Sequence, residues 1–181
     1  MVATSFILIR GDRYEIEEGK PATIIKPEFN IIIKDTVIGE GTLIWSNVNI
    51  YGAYIGRNVK IGAFVEIRKG VRIGDNVKIE PYAFLPEGVT LEDCVFIGPA
   101  VIFTNDVLPR ACDDEGGQIV EYEITPTLVK KGASIGAASA IRCGITIGEG
   151  ALIGMGSVVV DDIPAGAVVY GQKATVRRYL K

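Results

Sequence analysis

The sequence predicts an all-β chain wound as a parallel β-helix, and three observations predict it. A large apolar residue recurs every sixth position, a small or β-branched residue recurs four positions after each, and glycine often follows the large one, as in IGRNVKIGAFVEI from Ile55 to Ile67. An α-helix calls for apolar residues about every 3.6 positions and an ordinary strand for every second one, so a period of six fits neither. It fits a solenoid, in which each coil buries its inner face only against the coils beside it.

The elements follow in order. Residues 1–31 read as an N-terminal cap. FILIRGDRYEI alternates apolar and polar residues around Gly11-Asp12, the pattern of a hairpin, and it would cover an end whose unpaired strand groups invite aggregation. Residues 32–103 carry the first run of the repeat. Ile32, Ile38, Ile44 and Ile50 start it, one residue is missing before Ile55, and the step then holds through Ile61, Ile67, Ile73, Ile79, Leu85, Leu91, Ile97 and Phe103. Val59, Val65, Val71, Val77, Ala83, Val89, Val95 and Val101 fill the companion position. Large and small residues point inward, and glycine turns a corner where side chains would crowd or φ must be positive.

The repeat stops for residues 104–128, TNDVLPRACDDEGGQIVEYEITPTL, which read as an ejected loop, and long loops in compact folds are usually functional or disordered. It resumes over 129–171 through Val129, Ile135, Ile141, Ile147, Ile153 and Val159. In the tail, 172–181, Val176, Tyr179 and Leu180 stand at helical spacing and predict a short C-terminal helix.

Composition narrows the function. A net charge of −3 lacks the basic footprint of a general nucleic-acid binder. The apolar run Phe6 to Ile9 is too short for a membrane span or a signal sequence, so a cytoplasmic location with no membrane partner is expected. Cys94, Cys112 and Cys143 are odd in number and widely spaced, which suits free thiols in a reducing compartment. Histidine is absent altogether.

The Ile-Gly-x-x-Val-x pattern resembles the left-handed β-helix of the hexapeptide-repeat acyltransferases, in which three hexads make one triangular coil. The resemblance implies about six coils here. More narrowly, GEGTLIW at 39–45, GVTLEDCVFIGPAVIFTNDVLPRA at 88–111, TLVKKGASIGAASAIRCGITIGEGALIGMGSVV at 127–159 and IPAGAVVYG at 163–171 look like the N-acetyltransferases of nucleotide-linked 3-amino sugars. That likeness runs roughly from 32 to 173. It implies a homotrimer of parallel prisms, acetyl-CoA as co-substrate between neighbouring subunits, and an amino sugar entering from the loop side. The chain departs from the family at Ser46, where histidine is common, at Glu80-Pro81-Tyr82, where Gln-Asn-Asn is common, at Ala138, where asparagine is common, and at Gly171-Gln172-Lys173-Ala174, where Gly-x-Pro-Ala is common.

Without histidine, a hydroxyl acceptor would lack its base, whereas a sugar amine titrating near about 7.7–8.0 is partly neutral at pH 7 and can attack a thioester unaided. The departing sulfur, with a thiol pKa of about 8.5 by analogy with cysteine, can collect the proton. The same absence removes the three-histidine metal site of the γ-class carbonic anhydrases, so no metal is expected. For the catalytic site the candidates are Glu80, Tyr82, Asn105 and Asp106, with Tyr82 in the place of the family's asparagine and Glu80 alternatively in a surface ion pair. For the substrate they are Trp45, Asn47, Glu66, Arg68 and Arg110. Arg110 suits bidentate contact with a phosphate or carboxylate, or else a salt bridge to Asp113 or Asp114. Trp45 fits packing at a corner better than stacking on a base. For the cofactor they are Lys130, Arg142, Lys173, Arg177 and Arg178 as cations, and Gly136, Ala137 and Gly154 as small residues that let a pantetheine chain approach the backbone. Cys143 lacks an activating partner. Together these predict an acetyl-CoA-dependent N-acetyltransferase for an amino sugar. The alternatives are an acetyltransferase for another amine and a non-catalytic hexapeptide-repeat scaffold.

Overall fold

The computed structural model describes residues 4–171. The predicted C-terminal helix, with Lys173, Arg177 and Arg178, lies outside the described residues. The period of six is realised as two-residue strands separated by tight corners, three strands to a coil. The first face stacks Leu43–Ile44, Lys60–Ile61, Lys78–Ile79, Phe96–Ile97, Ser134–Ile135, Leu152–Ile153 and Val168–Val169 in parallel. The second stacks Val48–Tyr51, Glu66–Ile67, Phe84–Leu85, Ile102–Phe103, Ala140–Ile141 and Val158–Val159. The third stacks Tyr54–Ile55, Arg72–Ile73, Val89–Leu91, Thr127–Val129 and Thr146–Ile147, and Ile163 bridges to Ile147 at its end. This three-faced parallel coil agrees with the expected left-handed β-helix.

The interior is a column of aliphatics. Ile44, Ile61, Ile67, Leu85, Ile97, Ile135 and Ile147 are fully buried, with the valines of the companion position packed between them. Each such side chain contributes roughly 1.5–3 kcal/mol by leaving water. Where the companion residue is Ser139 or Ser157, its hydroxyl donates to the Gly136 carbonyl (2.8 Å) or the Gly154 carbonyl (2.6 Å), which keeps a polar atom satisfied inside.

At the N-terminal end, β1 (Thr4–Ile9) and β2 (Asp12–Glu17) form the expected hairpin. Its two-residue turn is Arg10-Gly11, both at positive φ, rather than Gly11-Asp12, because Ile9 pairs with Asp12. The hairpin is more than a lid, since β1 runs parallel to Leu43–Ile44 and begins the first face. Strand β3 (Pro21–Lys26) pairs antiparallel with β4 (Ile31–Ile38), which bends round a corner to serve both the second and third faces.

The repeat register is corrected at its start. Ile32 is 44% exposed, and Ile31 and Ile33 face inward in its stead. Ile33 pairs with Ile50 and Ile38 with Ile55, so β4 takes a step of five between them, and Lys34 and Asp35 both turn to solvent where the register against β3 shifts. The missing residue after Ile50 shows as a short coil: Ile44 pairs with Ile61, seventeen positions on, whereas Ile61 pairs with Ile79, eighteen on. Glycine has two separate reasons. After the large residue it is excluded volume, as at Gly136, and two positions later it is conformation, as at Gly70, where φ is +80°. No helix among the described residues is long and apolar enough to cross a membrane.

Candidate functional site

The corner between the second and third faces repeats once per coil, so residues about eighteen apart lie side by side. Arg68, Glu87 and Asn105 meet there for that reason. The Arg68 guanidinium donates to Glu66 Oε1 (2.9 Å) and to Glu87 Oε1 (3.3 Å) and lies 5.2 Å from the centre of the Tyr51 ring. The Asn105 amide donates to Glu87 Oε2 (3.3 Å) and to the Tyr122 hydroxyl (3.2 Å). Two carboxylates thus share one cation at the root of the ejected loop. The Glu66 hydrogen bond, followed by the charge of Glu87, raises the Arg68 pKa against the opposing effect of burial, so the cation persists. Burial is also the main cause that raises the Tyr51 pKa, with the nearby Arg68 working the other way.

The chemical consequence lies at Asn105. A carboxylate only accepts hydrogen bonds, so its neighbour must present N–H, and both amide hydrogens are committed to Glu87 and Tyr122. The side-chain carbonyl Oδ1 is left as an acceptor for a donor group such as an amine. The backbone fixes this arrangement, because the Thr125 N–H donates to the Asn105 carbonyl (2.9 Å) and ties the two ends of the loop together. Further out, Asp113 accepts from the Glu115 and Gly117 N–H groups and closes a small turn, leaving Arg110 in no ion pair among the described residues. Asp106 is turned back to cap the Leu108 N–H (2.8 Å).

Of the residues expected from the sequence, Glu66, Arg68 and Asn105 come together here. Glu87, Tyr51 and Tyr122 belong to the same network and were not singled out. The eighteen-residue period would have placed Glu87 beside Arg68 and Asn105, but nothing in the sequence points to Tyr122. Other expected residues lie on the edge between the first and second faces. There Glu80 forms an ion pair with Lys78 (2.6 Å), Tyr82 stacks on Phe64, Trp45 is half-exposed, and Asn47 accepts from the Asn30 amide (3.0 Å) and holds a left-handed corner. The cofactor candidates are spread over three edges. Gly136, Ala137 and Gly154 share the edge with Tyr82. Arg142 sits on the loop edge, its guanidinium reaching the Val160 carbonyl (3.5 Å), and Lys130 sits on the remaining edge. Among the described residues no group of three or more His, Cys, Asp or Glu side chains is placed to hold a metal ion.

Two family models match the chain on either side of the loop: bacterial transferase hexapeptide (six repeats) over residues 35–69, and hexapeptide repeat of succinyl-transferase over residues 127–160. Over 54 residues the chain is 56% identical to dTDP-3-amino-3,6-dideoxy-alpha-D-galactopyranose 3-N-acetyltransferase of Aneurinibacillus thermoaerophilus, a match covering 30% of this chain and 28% of that protein. The chain therefore spans less than a third of the curated relative it matches. Among solved structures, a hexapeptide-repeat acetyltransferase of Vibrio cholerae complexed with acetyl-coenzyme A is 27% identical with a TM-score of 0.52, each chain covered over 68%. The N-acyltransferase AntD of Bacillus cereus, complexed with dTDP and coenzyme A, shares the fold with a TM-score of 0.64 at 22% identity, covering 87% of this chain and 92% of that one.

Proposed function

We propose that this hexapeptide-repeat chain is an acetyl-CoA-dependent N-acetyltransferase that acetylates the amine of an amino sugar, nucleotide-linked, as a cytoplasmic homotrimer. The observation that carries the reading is the Asn105 side chain, held by Glu87 and Tyr122 so that only its carbonyl remains to receive an acceptor N–H. A neutral amine held there attacks the thioester carbon. The N–C bond forms, the C–S bond breaks, and the ammonium proton passes to the departing thiolate, a transfer that a thiol pKa of about 8.5 permits without histidine. Glu66 and Glu87 outnumber Arg68, so the cluster draws a positively charged acceptor from solution, and the fraction of it that has lost its proton to water is the one that attacks.

The spread of the positions expected to meet the cofactor supports an assembly of copies. Lys130, Gly136 and Arg142 lie on three different edges of one prism, so a single copy cannot offer them to one ligand, whereas a cleft between two copies can. The loop supports it with Leu108 and Val120, about four-fifths exposed, as apolar surface for a neighbouring prism. The likeness to the Aneurinibacillus enzyme supports a nucleotide-linked 3-amino sugar as acceptor. Calorimetry with acetyl-CoA and release of the CoA thiol in the presence of dTDP-3-amino-3,6-dideoxygalactose test the reading on the full chain. Saturable binding and turnover are expected. No binding at millimolar acetyl-CoA would reject the enzyme and leave the scaffold.

A further inference from the structure

The hairpin that closes the N-terminal end of the prism carries an open edge of its own. β2 is the outermost strand of the first face and is paired on one side only, with β1. Successive residues of an antiparallel strand turn their backbone groups to alternate sides. The Leu8 N–H donates to the Thr42 carbonyl (2.8 Å) and the Phe6 carbonyl accepts from the Gly41 N–H (2.8 Å), so Phe6 and Leu8 are turned away from β2. Their partners across the ladder, Glu15 and Arg13, are by the same alternation turned away from β1. Among the described residues the backbone N–H and C=O groups of Arg13 and Glu15 have no hydrogen-bond partner.

Open strand edges template pairing with another chain, and they are ordinarily blunted by proline, bulges or lysine. The strand that caps the other two faces shows all three devices. β3 begins at Pro21, shifts register between Ala22 and Ile24, and ends at Lys26. β2 shows none of them. It keeps an unbroken register over Asp12–Glu17, with Arg13, Glu15 and Glu17 exposed and Ile16 buried. Between β2 and β3 the end of the prism holds a cavity of about 490 Å³ walled by Tyr14, Ile16, Ala22 and Ile24, an apolar lining left beside the open edge.

We propose that β2 docks on the β2 of a second copy, the two strands running antiparallel about a two-fold axis at Tyr14 and joining two prisms head to head. Charge selects the occupant and the register. An axis at Tyr14 sets Arg13 opposite Glu15 of the second copy, twice over, and these are the two residues whose backbone groups point outward. An axis at Arg13 would face two guanidiniums, one at Glu15 two carboxylates, and one at Ile16 would set Glu15 against Glu17. In the favoured register each Arg13 exchanges N–H and C=O bonds with Glu15 of the second copy, and the two Tyr14 residues meet over the cavities they line. Both chains offer the same edge, so the contact closes at two and does not propagate. A strand of six residues covers far less than the roughly 1,200 Å² of a stable interface, so the joint forms as concentration rises and dissolves on dilution. It does not depend on the amino-sugar reading.

The test is sedimentation of the full chain at rising concentration, followed by amide exchange. The mass should double as the chain approaches about 1 mM, from three to six times 19.4 kDa if the unit is the trimer proposed above. Over the same range the Arg13 and Glu15 amides should become protected, while Tyr14 and Ile16, already bonded to β1, should not change. Arg13→Glu sets like charges across the joint, as does Glu15→Arg, and each should raise the concentration for doubling at least about tenfold. The double variant Arg13→Glu with Glu15→Arg restores opposite charges and should restore the doubling, although it lacks the stacking of Arg13 on Phe6. Glu15→Pro removes an N–H that β1 does not use and should abolish the doubling with circular dichroism retained. A mass that does not rise, or one that grows past a doubling, overturns the proposal. So does failure of the double variant to recover, or protection of Arg13 and Glu15 already in dilute solution, which would assign their edge to another segment of the same chain.

Discussion

At Gly136 an added Cβ would sit 2.5 Å from the Met155 nitrogen and 2.8 Å from the Ile153 carbonyl oxygen, both backbone atoms of the next coil that cannot swing away. Gly150 differs, since its φ is +63° and a Cβ there would meet nothing within 4 Å. The two glycines therefore predict different costs. Gly150→Ala should lose about 1 kcal/mol from left-handed strain alone, and Gly136→Ala about 3 kcal/mol from overpacking, read as midpoints of urea unfolding. Equal losses would show that crowding does not govern that position. Tyr51 gives a prediction in pH. Burial raises its pKa above the ordinary 10.0, so the folded state holds the phenolic proton more tightly than the unfolded chain. Its contribution is complete below pH 10 and declines as the pH rises through and beyond that value. Tyr51→Phe should flatten this alkaline part of the stability profile, and an unaltered slope would remove Tyr51 as its source.

Among the elements, the loop after Phe103 departs from the coil and is held at its base by hydrogen bonds that include Asn105 to Glu87, Asn105 to Tyr122, and the Thr125 N–H to the Asn105 carbonyl. Tyr122→Phe removes one of them from a half-exposed side chain and should cost only about 1 kcal/mol globally. Hydrogen exchange across 104–126 should nonetheless rise sharply while the prism strands stay protected, because the loop adds no strand to any face. Exchange rising equally everywhere would mean that the loop is part of the cooperative core. The prism was legible in the sequence because one residue type in six repeats an identical environment, so each step confirms the last. Ile32 departs from the expected register because β4 takes a five-residue step from Ile33 to Ile38, and the run of isoleucines at 31, 32 and 33 lets either register be read from the sequence. The site was legible only where it rides on the repeat: Glu66 and Arg68 sit on a strand and its corner, whereas Tyr122 reaches the cluster through an irregular path that no period encodes. Glu80 illustrates the same limit, since its unusual corner position was visible in the sequence but its pairing with Lys78 required the strand geometry.

For the molecule as a whole, the outward strand positions are chemically uneven along the prism. Early coils turn Lys60, Lys78 and Arg72 to solvent, whereas later ones turn out Ile102, Leu152, Val158 and Val168, with Val158 76% exposed. Outward positions on a solenoid are ordinarily polar, and a lengthwise apolar strip on neighbouring faces is a surface for another copy. The proposed trimer therefore predicts a mass in solution of three times 19.4 kDa. Val158→Lys, placed three times around a closed symmetric assembly, would bury three unpaired charges and should shift the population toward single chains. An exposed valine changed to lysine should leave monomer folding nearly unaffected, so circular dichroism should be retained as the mass falls. If the cofactor cleft needs residues from two copies, acetyl-CoA binding must fall in parallel with the trimer as the protein is diluted. Dissociation with undiminished acetyl-CoA binding would place the whole cofactor site on one prism, and a trimer indifferent to Val158→Lys would move the interface to a different face.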